Sequence, residues 1–266
     1  MNVIEDNSKI KITQGTYREF VDFSKNRKRS KKSLSSNHHS SRNGSKGFAG
    51  TSSFEEALEL ANKGWDAGIE QLELEDGLLV EGNGMEVKEN VCGSLVNIGN
   101  YVQGLPNNMY EFSELREYNL EPLTFYVSLN YSFANNLKKI SKFTKSIINI
   151  INTYQAKHDI RIVGYFDLDF GVRSVTEVLI KDFGERFVIN NIAYAFHSSF
   201  FRRLWFSVIE AEEFIYSGYG RQTSETLVNQ RVLKQIKKSN EKAIILPRLD
   251  DLGSGIFDEN QIIKHG

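Results

Sequence analysis

The chain reads as an α/β protein in which a mainly parallel sheet flanked by helices forms the C-terminal half, with a smaller α+β part before it. Short β-branched and aromatic runs (LTFYVSL at 123–129, IRIVGYFDLDF at 160–170, AIILP at 243–247) alternate with long amphipathic stretches. Strands alternating with helices predict a mainly parallel sheet covered on both faces. Between the first two runs, residues 134–154 place Leu137, Ile140, Phe143, Ile147, Ile151 and Tyr154 on one helical face. The link through Gly171 to TEVLIKDF at 176–183 is short enough for an antiparallel hairpin.

The remaining elements follow from local signals. Ser53 and Glu56 form a capping box that opens a helix, Phe54, Leu58, Ala61 and Trp65 share its apolar face, and Gly68 supplies a stop. From Gly77 to Gly104, glycines recur among short apolar runs, which predicts short strands and turns. Residues 190–216 read as helical, broken near Ser198 and Ser199, with polar N-caps available at Asn191 and Ser199. Another amphipathic helix is expected over 224–238. The organisation expected is a segment 1–23 packed on the fold, a mobile basic Ser-rich loop 24–47, an α+β part 48–120 and the α/β domain 121–266.

Composition excludes several classes of protein. The 266 residues are 40% hydrophobic and 25% charged, with 33 basic against 34 acidic side chains, which is an ordinary globular balance. The single cysteine, Cys92, permits no internal disulfide and no cysteine-built zinc site, and is expected to be a small buried hydrophobe. No stretch approaches the roughly 20 apolar residues of a spanning helix, and MNVIEDNSKIKI lacks the apolar core of a signal peptide, so a cytoplasmic protein is expected. Charge is nevertheless segregated. Residues 24–47 carry Lys25, Arg27, Lys28, Arg29, Lys31, Lys32, Arg42 and Lys46 without an acid, and have almost nothing apolar to offset the entropy of ordering them.

The strand and helix order, with its hairpin after the first helix, resembles a von Willebrand factor A-like (Rossmann-like) domain over roughly residues 123–264. Such domains hold a divalent metal with an Asp-x-Ser-x-Ser loop after the first strand and an Asp after the fourth. The matching loop here is Ser128-Leu129-Asn130-Tyr131-Ser132, and the later acid is Asp250 or Asp251. The leading aspartate is missing. The resemblance therefore implies a degenerate site of Asn130, Ser132 and Asp250, with Mg2+ as the cofactor it would take. A second resemblance rests on GFAGTSSFEEALELANKGWDAG at 47–68, VQGLPNNM at 102–109 and FHSSFFRRLWFSVIE at 196–210. These runs are similar to an uncharacterised family common in bacteriophage genomes, which implies a phage-encoded protein located in the host cytoplasm. It draws attention to Gly50, Gly64, Trp65, Gly104, Pro106, Arg202 and Arg203 without assigning them roles.

Other residues are weighed on their chemistry. Asp167 and Asp169 sit two apart in a strand, so both carboxylates share a face; they could hold a metal, or form an outward polar face. His38 and His39 lie in the basic stretch, while His158, His197 and His265 are scattered. The glycines at 82–84 and 218–220 lack the residues that make a phosphate loop. Arg202 and Arg203 read either as an anion clamp, for phosphate or for the Asp250-Asp251 loop, or as one arginine reaching solvent while the other pairs with a carboxylate. Lys25, Arg27, Lys28, Arg29, Lys31 and Lys32 have the composition of a nucleic-acid tether, or of a solvated loop.

The expectation is a non-enzymatic, phage-encoded binding or assembly protein that contacts a protein partner through loops at the sheet's C-terminal edge, without a membrane. The alternatives are a nucleic-acid-binding protein of phage replication or packaging that uses the basic arm, and a metal-dependent nuclease or hydrolase.

Overall fold

A computed structural model describes residues 1–6, 10–28, 40–67, 85–92, 95–114, 120–155, 157–169, 173–185, 187–211 and 242–265. In chain order they form β1 (Asn2–Asp6), β2 (Ile10–Thr16), α1 (Tyr17–Lys25), α2 (Lys46–Ala49), α3 (Phe54–Lys63), β3 (Met85–Asn90), β4 (Leu95–Val96), α4 (Ile98–Val102) and β5 (Met109–Glu114). There follow β6 (Glu121–Ser128), α5 (Leu137–Gln155), β7 (His158–Asp169), β8 (Arg173–Lys181), α6 (Ile189–Ala195), a π-helix (Phe200–Trp205), α7 (Phe206–Ala211), β9 (Ala243–Ile245) and β10 (Ile263–His265). The expected helix at 224–238 and the phosphate-loop-like glycines at 82–84 and 218–220 lie outside the described residues. Among the described residues no helix is long and apolar enough to cross a membrane.

The chain divides into two compact units, Met1–Leu78 with Pro122–Gly266, and Leu79–Glu121. The first is built on a seven-stranded sheet of order β1-β2-β8-β7-β6-β9-β10. The class is α/β and the sheet is mixed: β2 runs parallel to β8 and β6 to β9, while β1/β2, β7/β8 and β9/β10 are antiparallel. The N-terminal β2 thus enters the same sheet as the C-terminal strands.

Alternation along β6 distributes its side chains to two faces. Leu123, Phe125 and Val127 join the main core with Ile140, Phe143, Ile147 and Ile151 of α5, whereas Tyr126 packs in a smaller cluster with Val163, Tyr165, Ala243 and Ile245. The predicted α5 stripe is buried as expected, with Leu137 and Tyr154 packed at its margin.

Several local expectations are corrected. The Ser53 hydroxyl accepts the Glu56 N–H at 3.0 Å, but the Glu56 carboxylate reaches the Ser52 N–H at 2.6 Å, so the reciprocal half of the capping box is displaced by one residue. The helix stops at Lys63, where Gly64 takes φ +89°. Trp65 lies beyond the helix and is buried against His197, with ring centroids 4.3 Å apart. The break near Ser198 is real, but neither Asn191 nor Ser199 caps a helix. Val188 precedes α6 without a side-chain cap, and the Ser199 hydroxyl is engaged by His197 Nδ1 and Tyr194 OH.

The expectation that all of 24–47 is mobile fails at both ends. Lys25 belongs to α1, and Ser40, Ser41 and Gly44 are buried, because buried charged side chains take up the polar groups of that turn.

The second unit is a three-stranded antiparallel sheet of order β3-β5-β4. Asn97 caps α4 by accepting the Asn100 N–H, and Gly104 provides a turn at φ +68°. Cys92 is exposed there, not buried, in the bend that follows β3.

Candidate functional site

Because β6 and β9 are parallel neighbours, the loops that follow them leave the sheet at one edge, the usual position for a ligand surface in such sheets. The loop after β6 is pinned at both ends of its peptide dipoles. The Ser132 N–H donates to both carboxylate oxygens of Asp250, at 2.9 and 3.1 Å, and Asn135 Nδ2 donates to the same carboxylate. On the other side, Arg202 Nη2 donates to the carbonyls of Ser132 (3.2 Å), Phe133 (3.3 Å) and Asn135 (2.8 Å), while Nη1 donates to Phe48 O at 2.7 Å. An anion therefore holds the loop's N–H groups and a cation holds its carbonyls. Asn136 Oδ1 then accepts the Lys139 N–H at 2.8 Å and starts α5.

Arg202 is only 2% exposed and stacks over Phe48 and Tyr131, with 4.3 and 5.4 Å to the ring centroids. Burial pushes its guanidinium below the usual arginine value, opposed by Tyr131 and the Asp250 charge. Burial raises the Tyr131 phenol well above its ordinary range. Above this braced frame, the Phe133 side chain is 66% exposed.

Arg203 points elsewhere. Its guanidinium donates to Thr51 Oγ1 (3.3 Å), Ser41 O (2.9 Å), Arg42 O (3.2 Å), Gly44 O (2.7 Å) and Thr51 O (2.8 Å). Those bonds match the five N–H groups of a guanidinium, so no donor is left over for an anion. Among the described residues neither arginine lies within ion-pair distance of a carboxylate, and neither reaches solvent. The pairing expected from sequence is replaced by carbonyl-lined turns. The π-helix aims consecutive side chains at two different turns, and π-turns concentrate at functional positions.

The three residues expected to hold a metal lie in one neighbourhood, but not as a cation site. Asn130 is buried with its N–H on Ser128 Oγ at 3.4 Å, and Ser132 offers Asp250 an N–H donor. A divalent ion at Asp250 would have to displace donors that occupy both of its carboxylate oxygens, and the neighbouring Asp251 carboxylate is held by Arg248. The arrangement does not fit the metal. Among the described residues no group of three or more His, Cys, Asp or Glu side chains is placed to hold one.

The other candidates are dispersed. Arg27 stacks on Phe23 and Arg42 on Phe54, at 3.8 and 3.5 Å to the centroids, and Arg42 also pairs with Glu55. Lys28 is exposed, while Arg29, Lys31, Lys32, His38 and His39 lie outside the described residues. Asp167 and Asp169 occupy same-face backbone positions of β7 opposite Val175 and Arg173; their side chains lie outside the description. His197 Nδ1 lies 2.8 Å from Ser199 Oγ, which donates to Tyr194 OH, and burial pushes the imidazole down to about 4. That chain ends on the Ala57 carbonyl, so it ties α3 to the following helices.

Sequence reasoning passed over Phe133, Asn135 and the lysines of α5. The legible signal was LKKISKFTK after an aromatic, a helix start rich in lysine and without an acid.

No curated protein and no solved structure matches the chain. A family model described as "Domain of unknown function (DUF7192)" matches residues 6–263, nearly the whole chain, and the protein belongs to that family.

Proposed function

We propose that the protein is a non-enzymatic binding or assembly module whose contact surface is the loop from Ser132 to Asn136 with the adjoining turn at 249–255. The observation that carries this reading is the bracing of that loop by Asp250 and Arg202 beneath an exposed Phe133. Holding contact residues rigid before binding reduces the entropy lost on association. The order β8-β7-β6-β9, with an antiparallel β7/β8 hairpin and parallel β6/β9, supports a von Willebrand A-like topology for this part of the sheet. Phage origin is part of the same reading and rests on the sequence resemblance alone.

A photo-crosslinking phenylalanine analogue at position 133, with the same analogue at the exposed Lys157 as control, tests the surface in the cells that make the protein. An adduct at 133 and none at 157 is expected. No adduct at 133, or equal adducts at both positions, removes this surface.

A further inference from the structure

Resting on the contact surface proposed above, we infer that its partner is a single-stranded nucleic acid, whose phosphates meet Lys138, Lys139 and Lys142 of α5 and whose base stacks on Phe133.

The first argument is charge. Helix α5 contains no acidic residue, and Lys138, Lys139 and Lys142 lie in its first turns. Among the described residues none of the three pairs with a carboxylate. Cations there oppose the helix macrodipole, whose N-terminal end is already positive. Local choices that work against stability are expected where a site has another use for them. The positive end of a helix 19 residues long and three lysines in its first turns together make a field that suits a polyanion.

The second argument is shape. Lys138 and Lys142 are one helical turn apart on an exposed face, which continues through the exposed Asn149 and Thr153. The Asn149 amide is a further donor of the kind that meets a phosphodiester backbone, whereas the Thr153 hydroxyl already donates to the Asn149 carbonyl at 2.9 Å. Among the described residues of α5 no large apolar side chain is exposed, and the exposed apolar side chains nearest it in the chain and at the Gly255 turn are Phe133 and Ile256, fewer than the continuous apolar face an interfacial helix inserts into lipid.

The third argument is the aromatic. Phe133 precedes the lysines on a loop fixed by Arg202 and Asp250, and the turn at Gly255 packs against Lys139. An exposed ring on the loop that leads directly into a helix start rich in lysine is the pairing used to stack successive bases while tracking a backbone. Stacking requires an unpaired base, which favours a single strand over a duplex.

The test is fluorescence anisotropy of the full chain with labelled mixed-sequence 20-mers, as single-stranded DNA and RNA and as duplex, across a salt series. Phe133→Ala is expected to weaken single-strand binding about 5- to 150-fold. The triple variant Lys138→Gln, Lys139→Gln, Lys142→Gln is expected to reduce the slope of log K against log salt by about 2. Both variants lie on exposed or partly exposed positions, and thermal unfolding of each checks that it folds as the parent does. Absence of binding at low salt up to on the order of 100 μM overturns the inference. So does binding that these variants leave unchanged, preference for duplex, or binding to anionic vesicles in place of oligonucleotide. An adduct at position 133 that is protein only would overturn the nucleic acid while keeping the contact surface; no adduct would remove the surface itself.

Discussion

Arg203 and Glu210 hold the same residue, Ser41, from its two sides. The guanidinium donates to the Ser41 carbonyl at 2.9 Å, and the carboxylate accepts the Ser41 N–H at 2.7 Å and its hydroxyl at 2.6 Å. Both side chains are essentially fully buried. A turn drawn from a basic, serine-rich stretch is thereby ordered by two opposite charges that do not touch each other. Arg203→Lys replaces a five-donor fork with a point charge and is expected to lower stability by about 3 kcal/mol or more. Urea unfolding of Arg203→Lys and Glu210→Gln measures this; a loss below about 1 kcal/mol in both would show that the turn does not depend on them. One consequence concerns tests of the basic arm. Deleting 25–46 removes Ser41 from both charges, and Arg42 and Gly44 from Arg203, so Lys28, Arg29, Lys31 and Lys32 are better changed to Gln with the turn intact.

Gly50 leaves less room for an added Cβ than Gly15, Gly64, Gly164 or Gly255. It ends α2 at φ +88°, and an added Cβ would lie 2.2 Å from Ser198 Oγ and 2.8 Å from His197 Cε1. Gly50→Ala combines left-handed strain with overpacking and is expected to cost about 2–5 kcal/mol. Gly104 also has positive φ, at +68°, but open space around it, so Gly104→Ala should cost only about 1–2 kcal/mol. Thermal unfolding of the two variants separates strain from clash. Equal losses would mean that the contact with Ser198 and His197 relaxes freely.

His197 makes stability pH-dependent. Its imidazole, packed on Trp65 and Tyr194, is pushed from 6.5 down to about 4 by burial, against the pull of Glu56. Between those values the unfolded chain binds the proton and the folded chain does not. The contribution of this residue is therefore complete above pH 6.5 and is lost as pH falls toward 4. Measured as wild type minus His197→Gln, unfolding free energy should decline over that window. A flat difference curve would rule out the buried neutral imidazole.

Asp250 is expected to act through hydrogen bonds and not through a metal. Asp250→Ala removes the acceptor for Ser132 N–H and Asn135 Nδ2, a loss of about 1.5–3 kcal/mol for bonds to a charged group. Millimolar Mg2+ should leave the melting temperature of both proteins unchanged. A magnesium-induced rise in the wild type that disappears in Asp250→Ala would restore the metal.

The positions of β6, α5, β7, β8 and β9 were legible in the sequence, because period-2 and period-3.6 burial is written directly into LTFYVSL and into the stripe from Leu137 to Tyr154. The loop after β6 and the acid at 250 were legible as partners through the resemblance, although the expected chemistry was a cation and the observed one is an N–H donor. Burial of both Arg202 and Arg203 was not legible. Nothing local distinguishes an arginine that reaches solvent from one whose guanidinium finds carbonyls contributed by residues 41–51 and 132–135. Cys92 misled for the same reason, since burial of a small thiol depends on what packs over it. The sequence by itself determined which segments become strands and helices and which faces are apolar, since those are properties of neighbours three or four residues apart. Only the tertiary structure decided that the basic turn at Ser41 is ordered, that Asp250 braces Ser132, and that Phe133 stands exposed above them. Each of those depends on a hydrogen bond or contact between residues distant in the chain, whose donors and acceptors carry no mark in the sequence of the partner they will meet.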